Sequence, residues 1–224
     1  NAEIPNLYIA EAAGTGLTYV DQDGTLGFDD LDLTDTHTVD SQRTDEIFKD
    51  SNGTPVAPPA GAPPLEDLDL FQIDNDGDWS FYGYLDLNFL AAGESITFTY
   101  DITVDDGNGG IAQQINLKII ITGTNDGPVI NAEIPNLYIA EAAGTGLTYV
   151  DQDGTLGFDD LDLTDTHTVD SQRTDEIFKD SNGTPVAPPA GAPPLEDLDL
   201  FQIDNDGDWS FYGYLDLNFL AAGE

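Results

Sequence analysis

The sequence predicts an all-β protein: a Greek-key β-sandwich repeated in tandem, with minor helical turns. Three observations carry that reading. Apolar residues alternate strictly with polar ones in several runs, as they do in half-buried strands. Clusters of Asp, Asn, Gly and Pro separate those runs. Residues 131–224 also reproduce residues 1–94 without a substitution, a period of 130 residues that is too long for a solenoid unit and matches a whole domain. The expected organisation is one complete repeat over 1–130, including a linker at 122–130, followed by a second identical repeat over 131–224 that lacks the counterpart of 95–130.

In chain order, "NLYIAEA" (6–12), "GLTYV" (16–20) and "DLDLTDTHTV" (30–39) are short strand candidates. "TDEIFKDS" (44–51) is expected to form a helical turn, and "PVAPPAGAPP" (55–64) a stiff, polyproline-like surface loop. "DWSFYGYLDL" (78–87) puts Trp79, Phe81 and Leu85 on one face. "NFLAAGES" (88–95) reads as a second helical turn, stopped at Gly93. In "SITFTYDITV" (95–104), Ile96, Phe98, Tyr100, Ile102 and Val104 point inward, and Ile115, Leu117, Ile119 and Ile121 do so in the run from 111. Between these two strands "DDGNGG" (105–110) supplies hairpin chemistry. Two identical cores, 1–94 and 131–224, therefore compete for one hairpin at 95–121. The short turn at 94/95 assigns it to the first copy, so the second is expected to expose a sheet edge.

Charge narrows the function. The chain has 44 Asp plus Glu against 5 Lys plus Arg, a formal −39, with a hydrophobic fraction of 39% that is sufficient for packed cores. Such a polyanion repels nucleic acid and anionic membrane surfaces and would repel itself unless cations sit among its carboxylates. Oxygen-only clusters suit Ca2+. With no Cys, the chain has no disulfide, thiol nucleophile or zinc–thiolate site, and no apolar run approaches the length of a membrane span. No signal peptide opens the chain, and it is expected to be an internal fragment whose targeting signals lie elsewhere.

Several acidic groups are candidate ligands. Asp21 with Asp23, or Asp30 with Asp32, share a strand face by alternation; their acids either bind calcium or are simply solvated. Asp74, Asp76 and Asp78 begin like an EF-hand loop, but Trp79 stands where the turn glycine belongs and Leu85 where a bidentate Glu is needed. That stretch is either a plain hairpin tip or a surface calcium site. The second copy repeats the candidates as Asp151, Asp153, Asp160, Asp162, Asp204, Asp206 and Asp208. His37, the one histidine per copy, reads as structural, and no nucleophile–His–acid arrangement is legible, so an enzyme is not expected. Tyr82, Tyr84 and Trp79 form either a sugar-stacking patch or ordinary cross-strand packing.

"FDDLDLTDTHTVD" (28–40), "FLAAGESITFTYDITVDDGNGG" (89–110) and "ITGTNDGPV" (121–129) together resemble the VCBS repeat. The resemblance implies an immunoglobulin- or cadherin-like sandwich, found in tandem in giant secreted bacterial surface proteins, notably RTX-type adhesins of the biofilm kind. The insert at about 41–72 is longer than the family pattern. "TNDGPVI" (124–130) is also similar to the linker of cadherins, where consecutive domains share calcium. That likeness implies Asn125 and Asp126 as linker ligands, with Glu11 (Glu141 in the second copy), Asp30 and Asp32, or Asp105 and Asp106, contributed by domain ends. The expected function is a calcium-stabilised extender that spaces an adhesin's tip from the bacterial surface, with neighbouring identical repeats as its partners. The competing expectation is an adhesion module gripping glycans or partner domains through the 41–72 insert.

Overall fold

The computed structural model describes residues 2–221 apart from 15, 33 and 145. It is an all-β structure that divides into two compact units, residues 1–128 with 160–165, and residues 129–159 with 166–224. Among the described residues no helix is long and apolar enough to cross a membrane.

The first unit is a Greek-key sandwich of the immunoglobulin/cadherin kind. Its strands are β1 (Leu7–Ala10), β2 (Thr18–Thr25), β3 (Thr38–Lys49), β4 (Pro55–Val56), β5 (Phe71–Ile73), β6 (Asp78–Leu85), β7 (Ser95–Asp105) and β8 (Ile111–Thr122). One sheet runs β1-β8-β7-β3-β4 and the other β2-β6-β5, so the chain changes sheet between β1 and β2, between β2 and β3, between β4 and β5 and between β6 and β7. β1 lies parallel to β8, pairing Leu7 with Ile119 and Ala10 with Thr122. That parallel pairing brings the start of the sandwich beside its end.

Alternation explains the core. Ile96, Phe98, Ile102, Ile119 and Ile121 are fully buried, facing Phe81, Leu85 and Trp79 from the opposite sheet. A side chain such as Phe98 contributes roughly 1.5–3 kcal/mol by leaving water. Tyr100 is also buried, and its hydroxyl donates to Asp69, which Arg43 Nη1 approaches at 3.0 Å. This network fastens the end of the 41–72 insert to the middle of β7, just after a 3₁₀ turn at Leu65–Leu68. Gly123, directly after β8, lies so close to the carbonyls of Leu90 and Ala91 that no side chain fits there.

Four local expectations are corrected. Residues 44–51 are not a helical turn: through Lys49 they continue β3, because β7 offers a ladder from Lys49↔Ser95 to Thr38↔Asp105. Residues 88–94 form two hydrogen-bonded turns, closed by Leu90 N–H to the Leu87 carbonyl and Glu94 N–H to the Ala91 carbonyl, with Gly93 at φ +88°, and carry no helix. Ile115 is 61% exposed rather than inward. The ladder slips between Tyr100 and Ile102, and Asn116 adopts φ +59° while its N–H donates to the Asp101 carboxylate. That bulge shifts the side-chain phase by one residue, so Leu117 is buried and Ile115 is not. The strand expected from residue 30 begins only at Thr38.

The second unit contains β9 (Val129–Ala132), β10 (Thr148–Thr155), β11 (Gly157–Asp159), β12 (Phe201–Ile203) and β13 (Asp208–Leu215). β10-β13-β12 repeats the β2-β6-β5 sheet residue for residue, and β9 pairs with β11. The counterpart of β3, residues 168–179, forms no strand and makes one isolated bridge, Lys179↔Pro185. Its sequence is identical to that of β3. What differs is the neighbour, since β7 and β8 lie in the first unit.

A hydrogen-exchange experiment checks this. Any peptide from 38–49 is chemically identical to one from 168–179, so its isotope envelope should split into two equal populations. The slow half should lag by on the order of a thousand-fold, for a local stability difference of about 4 kcal/mol. A single envelope would show that strand formation there does not depend on β7.

Candidate functional site: a buried acidic cluster at the linker

The register of β1 on β8 builds the site. Glu11 is the residue after β1; its N–H donates to the Thr122 carbonyl at 2.9 Å, and its Oε2 accepts from the Thr124 N–H at 2.9 Å. Two residues on, Asp126 is 6% exposed; its Oδ1 accepts from the Gly14 N–H at 2.7 Å. Residues 160–165 of the second copy pack with the first unit, and Asp162 Oδ2 accepts from the Asp126 N–H at 2.8 Å. Asp160 Oδ1 fixes that turn by accepting from the Asp162 N–H. Glu94 completes the group: its Oε1 accepts from Thr164 Oγ1 at 2.9 Å and its Oε2 from the Ala91 N–H at 3.1 Å.

Four acids are thus buried in this unit, Glu11 at 5%, Glu94 at 3%, Asp126 at 6% and Asp162 at 2% exposure, with Glu11, Asp126 and Asp162 close enough to repel one another. Among the described residues no ion pair reaches them: Arg43 pairs with Glu46 and Asp69, and Arg173 with Glu176 and Asp199. Among the described residues six buried side-chain polar atoms lack a hydrogen-bond partner, and four of these are Glu11 Oε1, Thr124 Oγ1, Asp126 Oδ2 and Asp162 Oδ1. Unpartnered buried oxygens are costly, and carboxylates more so. Burial pushes the Glu11 carboxyl up to about 7, with Asp126 and Asp162 adding repulsion. Burial likewise raises Asp162 to about 6, with Asp165, Asp126 and Asp160 contributing. An all-oxygen donor set with orphaned acceptors is of the type a hard divalent cation takes, although no three of these carboxylates lie within 4.8 Å of one another.

Of the linker residues singled out in the sequence, Asp126 belongs to this cluster, whereas the Asn125 side chain is exposed and its amide donates to the Asp126 carbonyl. Glu141, the counterpart of Glu11, is exposed, as is Asp32, the counterpart of the buried Asp162. Identical residues therefore differ by whether a linker packs against them. Glu94 and Thr164 were not singled out; Glu94 sits three residues after the buried Ala91 in a turn whose fold gives no sequence signal.

A second acidic group lies in the first unit. Carboxylate oxygens of Asp30, Asp35 and Asp106 fall within 4.8 Å of one another, the one such trio of acidic or His side chains among the described residues. Asp30 Oδ2 also lies 3.0 Å from His37 Nε2, and the Asp32 N–H followed by His37 holds its carboxyl below the usual value. Asp106 Oδ1 accepts from the N–H groups of Asn108 and Gly110, and Asp105 Oδ1 from that of Gly107, so both acids also shape the hairpin turn.

The remaining candidates are dispersed. Asp74 Oδ1 accepts from the N–H groups of Asp76 and Asp78, and Thr25 Oγ1 donates to Asp78, which makes the β5–β6 connection a self-bonded turn. Asp204, Asp206 and Asp208 repeat those bonds. Asp21 and Asp23 lie exposed on the outer face of β2, as do Asp151 and Asp153 on β10. Asp21 and Asp151 accept from the hydroxyls of Tyr19 and Tyr149. Trp79 does not join Tyr82 and Tyr84, because it points into the core; Tyr19 does, with ring centroids 5.8 and 5.1 Å from theirs.

No family model matches the chain, and no curated protein matches it. Solved structures similar to it include human protocadherin-24 EC1-2, at TM-score 0.32 and 17% identity, covering 97% of this chain and 78% of that one. Another is mouse protocadherin-24 EC1-3, at TM-score 0.24 and 17% identity, covering 83% of this chain and 48% of that one.

Proposed function

We propose that this chain is a calcium-stabilised extender of a bacterial cell-surface adhesin, secreted and working as a spacer rather than a catalyst. The observation that carries the calcium part is the burial of Glu11, Asp126 and Asp162 with one orphaned carboxylate oxygen each. A divalent cation supplies the missing positive charge, and Glu94, which lies beside Thr164, is a further ligand candidate. Asp30, Asp35 and Asp106 are candidates for another ion. The extender part rests on the unbroken identity of 1–94 with 131–224 and on the position of Asp126 between the copies. An ion held there opposes the repulsion that would otherwise splay a carboxylate-lined joint. Small-angle scattering tests it: the longest dimension should be sharply defined in calcium and broaden in chelator, and an unchanged profile would contradict the proposal.

A second reading keeps one specific observation. Tyr19, Tyr82 and Tyr84 are 49%, 59% and 65% exposed on the outer sheet face, and Tyr149, Tyr212 and Tyr214 repeat the patch. Beside the proline loop, a groove of about 580 Å³ runs between Glu46–Phe48 and Pro55–Pro58. A glycan array separates the readings. A hit abolished by changing Tyr82, Tyr84, Tyr212 and Tyr214 together to Ala would favour recognition, and no hit favours the spacer.

Two stability measurements follow from the raised carboxyls. Without calcium, Glu11 and Asp162 bind protons more readily folded than unfolded, their pKa values lying at about 7 and about 6 against 4.5 and 3.8. Their contribution is therefore most favourable at low pH and is lost as pH rises from about 4 to 7. In chelator the melting temperature should fall across that window; saturating calcium should flatten the trend and raise the melting temperature at pH 7.5 by roughly 10 °C. In Glu11→Gln, the amide oxygen keeps the Thr124 bond while its NH₂ faces the remaining acids. The calcium-free form should gain about 1–3 kcal/mol at pH 8 while the calcium shift shrinks.

A further inference from the structure

We infer that the outer face of β2 and β6 is a docking surface for an extended, arginine-rich segment of a partner protein. Register builds the face. Tyr19 lies opposite Tyr84, Asp21 opposite Tyr82 and Asp23 opposite Ser80, and they alternate along the strands with the buried Val20, Phe81 and Leu85. Tyr19 stands between the other two rings, at 85° to Tyr82 and 47° to Tyr84, so the three form a continuous aromatic strip beside two carboxylates. The Tyr19 hydroxyl donates to Asp21 Oδ2 at 3.1 Å. Asp21 and Asp23 are exposed, and among the described residues no ion pair reaches either of them.

The opposite sheet of the first unit shows which group completes such a pair. There the Tyr100 hydroxyl donates to Asp69, Arg43 Nη1 lies 3.0 Å from the same carboxylate, and the guanidinium sits 5.6 Å from the centre of the Phe98 ring. A guanidinium suits both partners, because it is planar enough to stack on a ring and its N–H groups bond a carboxylate. The outer face holds the Tyr–Asp half of that arrangement, with rings beside it and no arginine. With 5 basic residues against 44 acidic ones, the chain has few cations to spare, so the arginine comes from a partner. Other occupants match only half of the surface. A neutral sugar covers the rings and leaves the carboxylates uncompensated, a hydrated metal ion does the reverse, and nucleic acid or anionic lipid is repelled.

The second unit makes the same strip. Tyr149 lies 5.8 and 5.1 Å from Tyr212 and Tyr214, at 86° and 49°, and its hydroxyl donates to Asp151 at 3.1 Å. The ladder beneath has the same register, with Tyr149 opposite Tyr214 and Asp151 opposite Tyr212. Ring positions are therefore set by the two paired strands alone, and a preformed surface loses little freedom on binding. The buried linker acids lie outside β2 and β6, so this surface is independent of the calcium proposal.

The test titrates the full chain with a labelled peptide of alternating Arg and Gly, whose arginines repeat at about 7 Å and so match residues two apart on a strand. At physiological salt the peptide should bind, and affinity should fall about tenfold when Tyr19, Tyr82, Tyr84, Tyr149, Tyr212 and Tyr214 are all changed to Ser, which leaves the net charge unaltered. Asp21→Asn with Asp151→Asn keeps every ring and should weaken binding several-fold. The equal charge loss of Asp45→Asn with Asp175→Asn, outside β2 and β10, should leave binding unchanged. A peptide with Lys in place of Arg should bind several-fold more weakly. No binding, or a lysine peptide that binds as well, would overturn the inference. So would affinity that survives the tyrosine changes, or equal effects of the two aspartate pairs, since either result means diffuse attraction to a polyanion. Glycan binding that is lost with the tyrosines while peptide binding persists would assign the face to sugars instead.

Discussion

A chain with 44 acidic and 5 basic residues cannot neutralise its own carboxylates, yet it buries Glu11, Glu94, Asp126 and Asp162 within one unit. That constraint governs the end of the sandwich. Backbone N–H groups of Ala91, Thr124, Asp126 and Gly14 orient the acids, but each donates only one bond, and one oxygen on each of Glu11, Asp126 and Asp162 stays without a partner. Left anionic and unpaired, such a cluster opposes folding; protonated or bound to a cation, it ties β1, the 88–94 turn, the linker and residues 160–165 into one body. On the proposed reading, proton and calcium are alternative solutions to the same burial, and near neutral pH the ion is the one that would keep its charge advantage.

The duplicated sequence separates local from tertiary causes of structure. β2, β5 and β6 recur as β10, β12 and β13 with the same registers, because their partners recur too. Residues 38–49 and 168–179 share every side chain, but only the first set is a strand. β-propensity did not decide between them; the presence of β7 did. The same logic distinguishes buried Asp162 from exposed Asp32 and buried Glu11 from exposed Glu141, in each case through what packs against an identical residue.

Much of this was legible in the sequence where it depends on period. The alternation of Ile96, Phe98, Tyr100, Ile102 and Val104 placed β7 correctly, and Leu117, Ile119 and Ile121 placed the second half of β8. Legibility failed where a long-range partner intervenes. Nothing local announces the bulge at Asn116 that turns Ile115 outward, nor the β7 ladder that draws 44–49 into a strand. For the site, Glu11 and Asp126 were singled out, but Glu94 was hidden because its role comes from a turn meeting residue 164, seventy positions away. Asp35 was hidden likewise, since only the fold brings it to Asp30 and Asp106.

The most direct test of the calcium account is to titrate the ion calorimetrically at pH 6.5 in buffers of different ionisation enthalpy, which counts the protons exchanged on binding. At that pH Glu11, with a carboxyl near 7, is mostly protonated and Asp162, near 6, is partly so, and binding at their oxygens must release those protons. The account predicts net release of about one proton per chain at pH 6.5, declining towards none by pH 8.5. Calcium binding with no proton release at pH 6.5, or no binding at all, would contradict it.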